Sequence, residues 1–354
     1  MFSKNLEYQR LKKGMTKREL ALASGLSPQA ITNYERNLRK PDSMEIIKRL
    51  AVALDINETD FLHRWNTDLR MEHGAFRKSS LLAPREEEFL RLSVEEYCTR
   101  FGDILDILGT NVFPNPPQMH ILSQSNDIEA DALRLRRHLM LSERGPIHAL
   151  VEQLEDRGLI IWMTNVDFEG FSGMNGICNG YPYIALNRSM PTSQLRSTIA
   201  HELVHLFFDW SNAGNKEEKL ATAIGDAFLL PKADIQRELG MRRSAIQTDM
   251  WETSRSYGVS LMILAKRAHD CKIINSKAYS QFCEDAKIRG WQNQDPFELE
   301  PEKPHVFEQL VIRAMNEGEI SVSRCAELLQ ISYQEAYQRC ECEAVCDDDE
   351  VTID

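Results

Sequence analysis

Apolar positions in the first sixty residues recur at helical spacing, in short runs cut by sharp punctuation. Leu6 to Lys13 reads as a helix that Gly14 ends. Thr16, with Glu19 three residues on, has the pattern of a capping box and starts a second helix, with Leu20, Ala21 and Ala23 as its expected inward positions. Gly25 supplies a turn. Ser27 caps a third helix, and Pro28 takes its first position, where a missing N–H costs no hydrogen bond. Ile31 and Tyr34 face inward there, while Gln29, Thr32, Asn33 and Arg36 share the polar face. Pro41, Asp42 and Ser43 begin a fourth helix that runs through Leu54.

The period then lapses, and Trp65 to Pro84 reads as a connector. Helical spacing returns from Glu86 to Leu108, through Phe89, Leu90, Leu92, Tyr97, Phe101 and Ile104, and the proline-rich stretch from Phe113 to Pro117 stops it. This helix could pack on the domain that follows, link protomers, or do both. Ile128 to Leu141 is amphipathic and Pro146 to Arg157 makes another short helix. The runs GLIIWMTNV and YPYIALN are strand-like, bounded by Gly, Asn and Pro. Leu195, Ile199, Leu203, Leu206 and Phe207 then mark a helix with a start signal at Pro191, Thr192 and Ser193, and a further helix runs from about Lys216 to Leu230, ending at Pro231. Helix, two or more strands, then helix is an α+β order. The last third reads as short helices around a polar, proline-bearing loop (GWQNQDPFELEPEKP), and GEISVSRCAELLQISYQEAYQRC forms a second helix-turn-helix-like pair. That pair is not basic, so packing or dimer contacts suit it better than DNA.

Composition narrows the class. A chain of 354 residues with 42% hydrophobic content has material for two or three domains. No run of about 18 apolar residues exists, and the charged N-terminus lacks the apolar core of a signal peptide, so the cytoplasm is expected. Eight cysteines at this size do not make a disulfide scaffold, which fits a reducing compartment. The net charge of −12 argues against a nucleic-acid binder as a whole, but it is uneven. Residues 1–64 carry 12 Lys and Arg against 8 Asp and Glu, a net of +4, which leaves −16 on the remainder. A small basic module is joined to an acidic body.

Helix, short glycine turn and helix at this spacing is a helix-turn-helix. The stretch MTKRELALASGLSPQAITNYERNLRKPDSMEIIKRLAVAL closely resembles the Xre/Cro-type repressors over about 58 residues. The resemblance implies that the helix from Ser27 to Asn37 enters the major groove of an operator. Gln29 and Asn33 are then the best base readers, because amides pair bidentately with adenine. Ser27 and Thr32 are weaker candidates, and Lys17, Arg36, Arg39 and Lys40 would touch phosphates.

His201-Glu202-Leu203-Val204-His205 is an HExxH motif on a helix. Residues four apart share a face, so both imidazoles can reach one Zn²⁺, with Glu202 beside it as proton acceptor for a bound water. A catalytic site needs a third protein ligand and an open position. Glu217 and Glu218, at the start of the next helix, are available, and so is Asp209, which could instead accept from a histidine N–H. IAHELVHLFFD followed by EKLATAIGDAFLLP resembles the ImmA/IrrE zinc metallopeptidases, a gluzincin-like group. Their second helix reads E-x-x-A-(N/D)-x-F-A-x-x-(L/F)-L-(L/M)-P. Glu218 falls on its ligand Glu, Ala221 on its Ala, and Phe228 to Pro231 on its closing run. Thr222, Ile224 and Gly225 depart from it, which is expected to loosen helix packing while sparing the ligands. The resemblance reaches upstream to about Ile128 and implies Zn²⁺, with Mn²⁺ as the alternative ion. His269, Tyr257 and His148 are available as transition-state stabilisers, with none favoured. Cys340, Cys342 and Cys346 match no strong zinc spacing, and the tail DDDEVTID reads as a solvated end.

The expected fold is mainly α with a small β-sheet. Residues 1–64 form an all-α helix-turn-helix domain, 65–125 a linker and long helix, 126–290 an α+β gluzincin-like metallopeptidase domain, and 291–354 a helical C-terminal region. ImmA/IrrE relatives are associated with cleaving helix-turn-helix repressors in prophage, mobile-element and DNA-damage responses. The resemblance therefore implies a regulator of duplex DNA, expected as a homodimer, that carries its own protease and acts on itself or on another protein, with no membrane involved. A non-proteolytic transcription factor or antitoxin, whose zinc domain senses a ligand, fits the same residues.

Overall fold

The computed structural model describes residues 1–344 apart from 67, 79–81, 110–111, 114, 126, 165, 167 and 212–215, with backbone alone at 75–78 and 340–344. Two compact units emerge. The first holds Met1–Leu69, Lys78–Arg100 and Phe168–Gly170, and the second holds Arg70–Arg77, Phe101–Asp167 and Phe171–Asp354. Among the described residues no helix is long and apolar enough to cross a membrane.

The first unit opens with α1 (Phe2–Lys12), α2 (Lys17–Ser24), α3 (Pro28–Glu35), α4 (Met44–Leu54) and a 3-10 turn (Glu58–Leu62). Each boundary has a local cause. Thr16 and Glu19 form the reciprocal capping box, and Ser27 and Ser43 accept from Ala30 and Ile46 N–H groups. Leu6, Leu20, Ile31, Tyr34, Leu50, Leu54 and Phe61 meet in one buried core. Ala23 was expected inward but is exposed, and Ser24 takes the inward position, its hydroxyl donating to the Leu20 carbonyl. Positions 20, 21 and 24 share one helical face, and position 23 lies off it. Gly25 has φ 63°, and a Cβ there would lie 2.6 Å from Arg49 Nη2. That guanidinium donates to the carbonyls of Ser24 and Gly25, so a side chain from α4 closes the turn. Trp65, at the start of the expected connector, is buried with its indole N–H on Asn5 Oδ1.

The connector is more than a tether, because Met71–Lys78 forms a strand, β1. Helix α5 (Pro84–Leu108) follows. The second unit continues through β2 (Leu122–Ser123), α6 (Ile128–His138), α7 (Leu150–Glu155), β3 (Ile160–Met163), β4 (Phe171–Cys178) and β5 (Tyr181–Leu186). Then come α8 (Thr192–Phe207), β6 (Phe208–Asp209) and α9 (Glu217–Leu229). The main sheet has the order β1-β4-β5-β3, with β3 parallel and β4 antiparallel to β5. β2 and β6 pair separately. Asn179 and Gly180, both at positive φ, make the two-residue turn from β4 to β5, the preferred chemistry for such a hairpin. Helix α8 lies on this sheet so closely that a Cβ at Gly173 of β4 would come 2.8 Å from Thr198. Ile184, Leu186, Ile199, Leu203 and Phe207 are buried together between them.

The open carbonyls at the end of α9 are met by two buried guanidiniums. Arg136 of α6 donates to Phe228 and Leu229, and Arg267 donates to Leu230. Burial pulls the Arg136 guanidinium down to about 10. The helical remainder comprises α10 (Lys232–Leu239), α11 (Asp249–Tyr257), α12 (Leu261–Asp270), α13 (Ser276–Arg289), α14 (Val306–Asn316), α15 (Val322–Leu329) and α16 (Tyr333–Ala344). The stretch between α13 and α14 is the expected loop, and α15 with α16 is the expected helical pair. The side chains of Cys340 and Cys342, and all of Cys346, lie outside the described residues.

Candidate functional site

His201 and His205 lie one turn apart on α8, buried, with their Nε2 atoms 3.0 Å from each other. Glu218, in the first turn of α9, faces both: its carboxylate oxygens are 3.3 Å from His201 Nε2 and 3.4 Å from His205 Nε2. These three could hold a metal ion, since their donor atoms all fall within 4.8 Å of one another.

The outer nitrogens decide what the inner ones can do. His205 Nδ1 is 3.0 Å from Glu217 Oε1, and an ionised carboxylate only accepts, so this contact suits the tautomer with the ring proton on Nδ1. His201 Nδ1 is 3.3 Å from Thr222 Oγ1, whose single hydroxyl proton is donated to the Glu218 carbonyl at 2.9 Å. Thr222 then accepts from the ring, which suits a proton on His201 Nδ1 as well. In those tautomers both Nε2 lone pairs converge on one spot beside a carboxylate. A cation placed there would be met by all three donors. Two ligands about 2.0–2.1 Å from a tetrahedral ion stand roughly 3.3 Å apart, close to the spacing found. The donor set of two imidazoles and one carboxylate suits Zn²⁺ and accommodates Mn²⁺. The Glu218 side chain is 72% exposed while the histidine side chains are 4% exposed, so the cluster opens to solvent on one side. That is where a water and a substrate can enter.

Glu202 is fully buried beside this cluster. Its Oε2 accepts from Asn175 Nδ2 of β4 at 2.6 Å, which fixes the carboxylate against the sheet. Of the two rivals for third ligand, Glu217 holds the far side of His205, and Asp209 accepts from the backbone N–H and hydroxyl of Ser211. Those bonds hold the Asp209 carboxyl below its ordinary range. Departures from the family pattern also find a use. Thr222 orients His201, and Gly225 lets α9 approach the backbone of α8, since a Cβ there would lie 3.2 Å from Ala200 C and His201 N. The expected loosening is instead a close contact at His201. Two of the three candidate stabilisers are engaged elsewhere, and the third is exposed. Tyr257 OH accepts from Arg237, with burial pushing the phenol up to about 12; His269 stacks on Tyr279; His148 is exposed at the start of α7.

On α3, Gln29 and Arg36 are exposed and Thr32 and Asn33 half-exposed. Gln29 Nε2 donates to Asn33 Oδ1 at 3.0 Å, so the two amides form one surface unit. Thr32 donates to the Pro28 carbonyl and Ser27 caps the helix, which leaves both close to the surface but locally occupied. Lys17 is 2.9 Å from Glu35 Oε2, and buried Arg10 grips the same carboxylate through Nε and Nη2. Lys17 thus has a structural partner that its sequence position did not reveal.

Residues 6–61 match the family model described as helix-turn-helix, and residues 163–269 match a peptidase family model described as the IrrE N-terminal-like domain. No curated protein and no solved structure matches the chain.

Proposed function

We propose that this chain, which joins a helix-turn-helix domain to an IrrE-like domain of a peptidase family, is a DNA-binding transcriptional regulator carrying a zinc-dependent endopeptidase. Its simplest role is a cytoplasmic repressor, a homodimer on an inverted repeat, that is relieved when it cleaves itself or another helix-turn-helix regulator in a stress, prophage or mobile-element switch. The observation that carries this reading is the convergence of His201 Nε2, His205 Nε2 and the Glu218 carboxylate, with Glu217 and Thr222 on the outer nitrogens and the buried Glu202 carboxylate beside them.

His201, His205 and Glu218 would hold one Zn²⁺ or Mn²⁺, which supplies a polarised water and carbonyl when bound. The remaining steps belong to the protein. Glu202, aimed by Asn175, takes the proton from the attacking water and returns it to the leaving amine nitrogen. Glu217 and Thr222 keep the imidazoles in the ligating tautomer. Gln29 and Asn33 read bases, with Ser27 and Thr32 in support, while Lys17 and Arg36 meet phosphates.

Glu202→Gln tests the reading. The side chain keeps its shape and its Oε acceptor for Asn175, and the ligands are untouched. The variant is expected to fold, hold metal and bind DNA, and to lose peptide cleavage by roughly 10³-fold or more. Mass spectrometry of metal-loaded wild type and variant, incubated alone and with helix-turn-helix repressors, reads the result. Equal cleavage by both proteins removes Glu202 from the role. No cleavage by either removes the peptidase and favours a zinc-dependent sensor.

A further inference from the structure

β1 stands at the edge of the main sheet, next to β4, the strand that supplies Asn175. Its sequence position is unusual for a sheet member. The IrrE-like match spans 163–269, which includes β4, β5, α8 and α9, and β1 comes from the segment joining the two domains. β5 is buried from Pro182 to Leu186, whereas Glu72, His73 and Gly74 remain exposed. β1 is thus laid on the sheet rather than built into its core.

The pairing leads to the metal cluster. Asn179 N–H donates to the Arg70 carbonyl and Arg70 N–H to Asn179 Oδ1, both at 2.9 Å, and Gly74 sits beside Asn175. β1 therefore runs antiparallel to β4. His73 Nδ1 meets Tyr183 OH at 2.7 Å on one face of the sheet. Gly74, one residue on, belongs to the other face, the one covered by α8. A Cβ at Gly74 would lie 2.1 Å from Asn175 Oδ1, and the same amide donates to Glu202. One side chain therefore touches the linker backbone and the candidate general base together. A Cβ at Gly176 would lie 2.2 Å from the Glu72 carbonyl oxygen, so β4 also uses a glycine to admit this strand. Extended peptides bind proteases and adaptor domains by adding a strand to an exposed edge, with backbone bonds supplying affinity.

We propose that the segment Met71–Lys78 is the substrate strand of the metal cluster in the same molecule, and that cleavage falls at the peptide bonds around Gly74. This rests on the peptidase reading above. Hydrolysis there breaks one backbone C–N bond. The oxygen of water joins the carbonyl carbon, and Glu202 carries a proton from that water to the new amine. No oxidant or second reactant is needed. The product has residues 1 to about 74, including every DNA-facing residue on α3, severed from the chain that holds the metal cluster.

The experiment uses the full chain, purified metal-free and then loaded with Zn²⁺. Intact-mass and N-terminal analysis should show a new N-terminus between residues 72 and 79. The fraction cut per unit time should be unchanged across a tenfold dilution, as for an intramolecular reaction. Hydrogen exchange on the zinc-loaded Glu202→Gln protein gives a readout independent of activity, with the amides of 71–74 exchanging at least about tenfold more slowly than free peptide. Digestion of an unrelated unfolded protein while 71–78 stays intact overturns the substrate-strand proposal and leaves the peptidase. Cutting that speeds up with concentration, cutting elsewhere in the chain, or unprotected amides at 71–74 also overturns it. Zinc bound with nothing cleaved overturns both.

Discussion

Helices α3 and α8 both carry short polar motifs, yet they hold them in opposite ways. On α3 the polar-face residues stand at the surface, and Gln29 and Asn33 have each other as partners. On α8 the motif is buried, and the outer atom of each histidine is fixed by a residue from α9, with Glu202 fixed from β4. The difference follows from the partner. A duplex presents many donors and acceptors, and exposed amides can rearrange to meet them. An ion and a proton transfer need a fixed set of lone pairs, and burial of the histidines and Glu202 with bonds to their outer atoms supplies that. Local sequence is enough to write the first kind of site. The second requires three elements to arrive together.

The sharpest break in this comparison is expected from the buried ion pair under α3. Glu35 is held by Arg10 and Lys17, and Glu35→Ala leaves the Arg10 guanidinium buried without its carboxylate. The helix-turn-helix core should lose roughly 3–5 kcal/mol in a denaturant melt. DNA binding should fail through unfolding, for every sequence alike. A variant that stays folded and loses only sequence preference would place Glu35 in recognition instead.

Smaller changes separate the two helices more finely. Glu217→Ala and Thr222→Val remove the groups behind the histidines but leave the ligands. Each should weaken Zn²⁺ binding by about 10–100-fold in a competition titration, with DNA binding unaffected. Gln29→Ala and Asn33→Ala should each cost about 1–3 kcal/mol of preference for the operator over random duplex, with metal content unchanged. An equal loss on both DNAs would make them phosphate contacts.

An effect of similar size is expected as a pH slope. Burial pushes the Glu155 carboxyl from 4.5 up to about 7, against hydrogen bonds from the backbone of His305 and Val306. The folded state holds this proton more tightly than the unfolded one. Its stabilising contribution is therefore full below about pH 4.5 and is lost as pH rises through about 7. Glu155→Gln should flatten the fall in unfolding free energy between pH 5 and 8 by roughly 1–3 kcal/mol. An unchanged slope would assign the pH dependence to other groups.

The same contrast explains how much could be read from the chain. Capping residues, the turn glycine and inward positions of the first four helices are local signals, and they match the structure apart from Ala23. The His201 and His205 pair is equally local. Asn175 was missed because β4 reads FSGMNGIC, with two glycines that weaken a strand pattern. Those glycines exist for close neighbours, Thr198 at Gly173 and the Glu72 carbonyl at Gly176, which sequence spacing does not display. One signal was present: Asn179-Gly180 before an apolar run is a hairpin turn, and it implies a partner strand immediately upstream. β1 gave no such sign, since an added strand at an edge needs no apolar alternation. The contacts of Glu217 and Thr222 with the histidines depend on which way α9 crosses α8, a tertiary fact set partly by Gly225.

The central claim is that Glu218 completes the metal site while its neighbour Glu217 only orients a ligand. Zinc stoichiometry of the wild type, His205→Ala, Glu218→Ala and Glu217→Ala, measured on dialysed full-length protein with duplex-DNA binding in parallel, tests it most directly. About one Zn²⁺ per chain is predicted for the wild type. His205→Ala and Glu218→Ala should lose it, Glu217→Ala should regain it when zinc is raised, and all four should bind DNA alike. Full zinc in Glu218→Ala together with its loss in Glu217→Ala would contradict the account and reassign the third ligand.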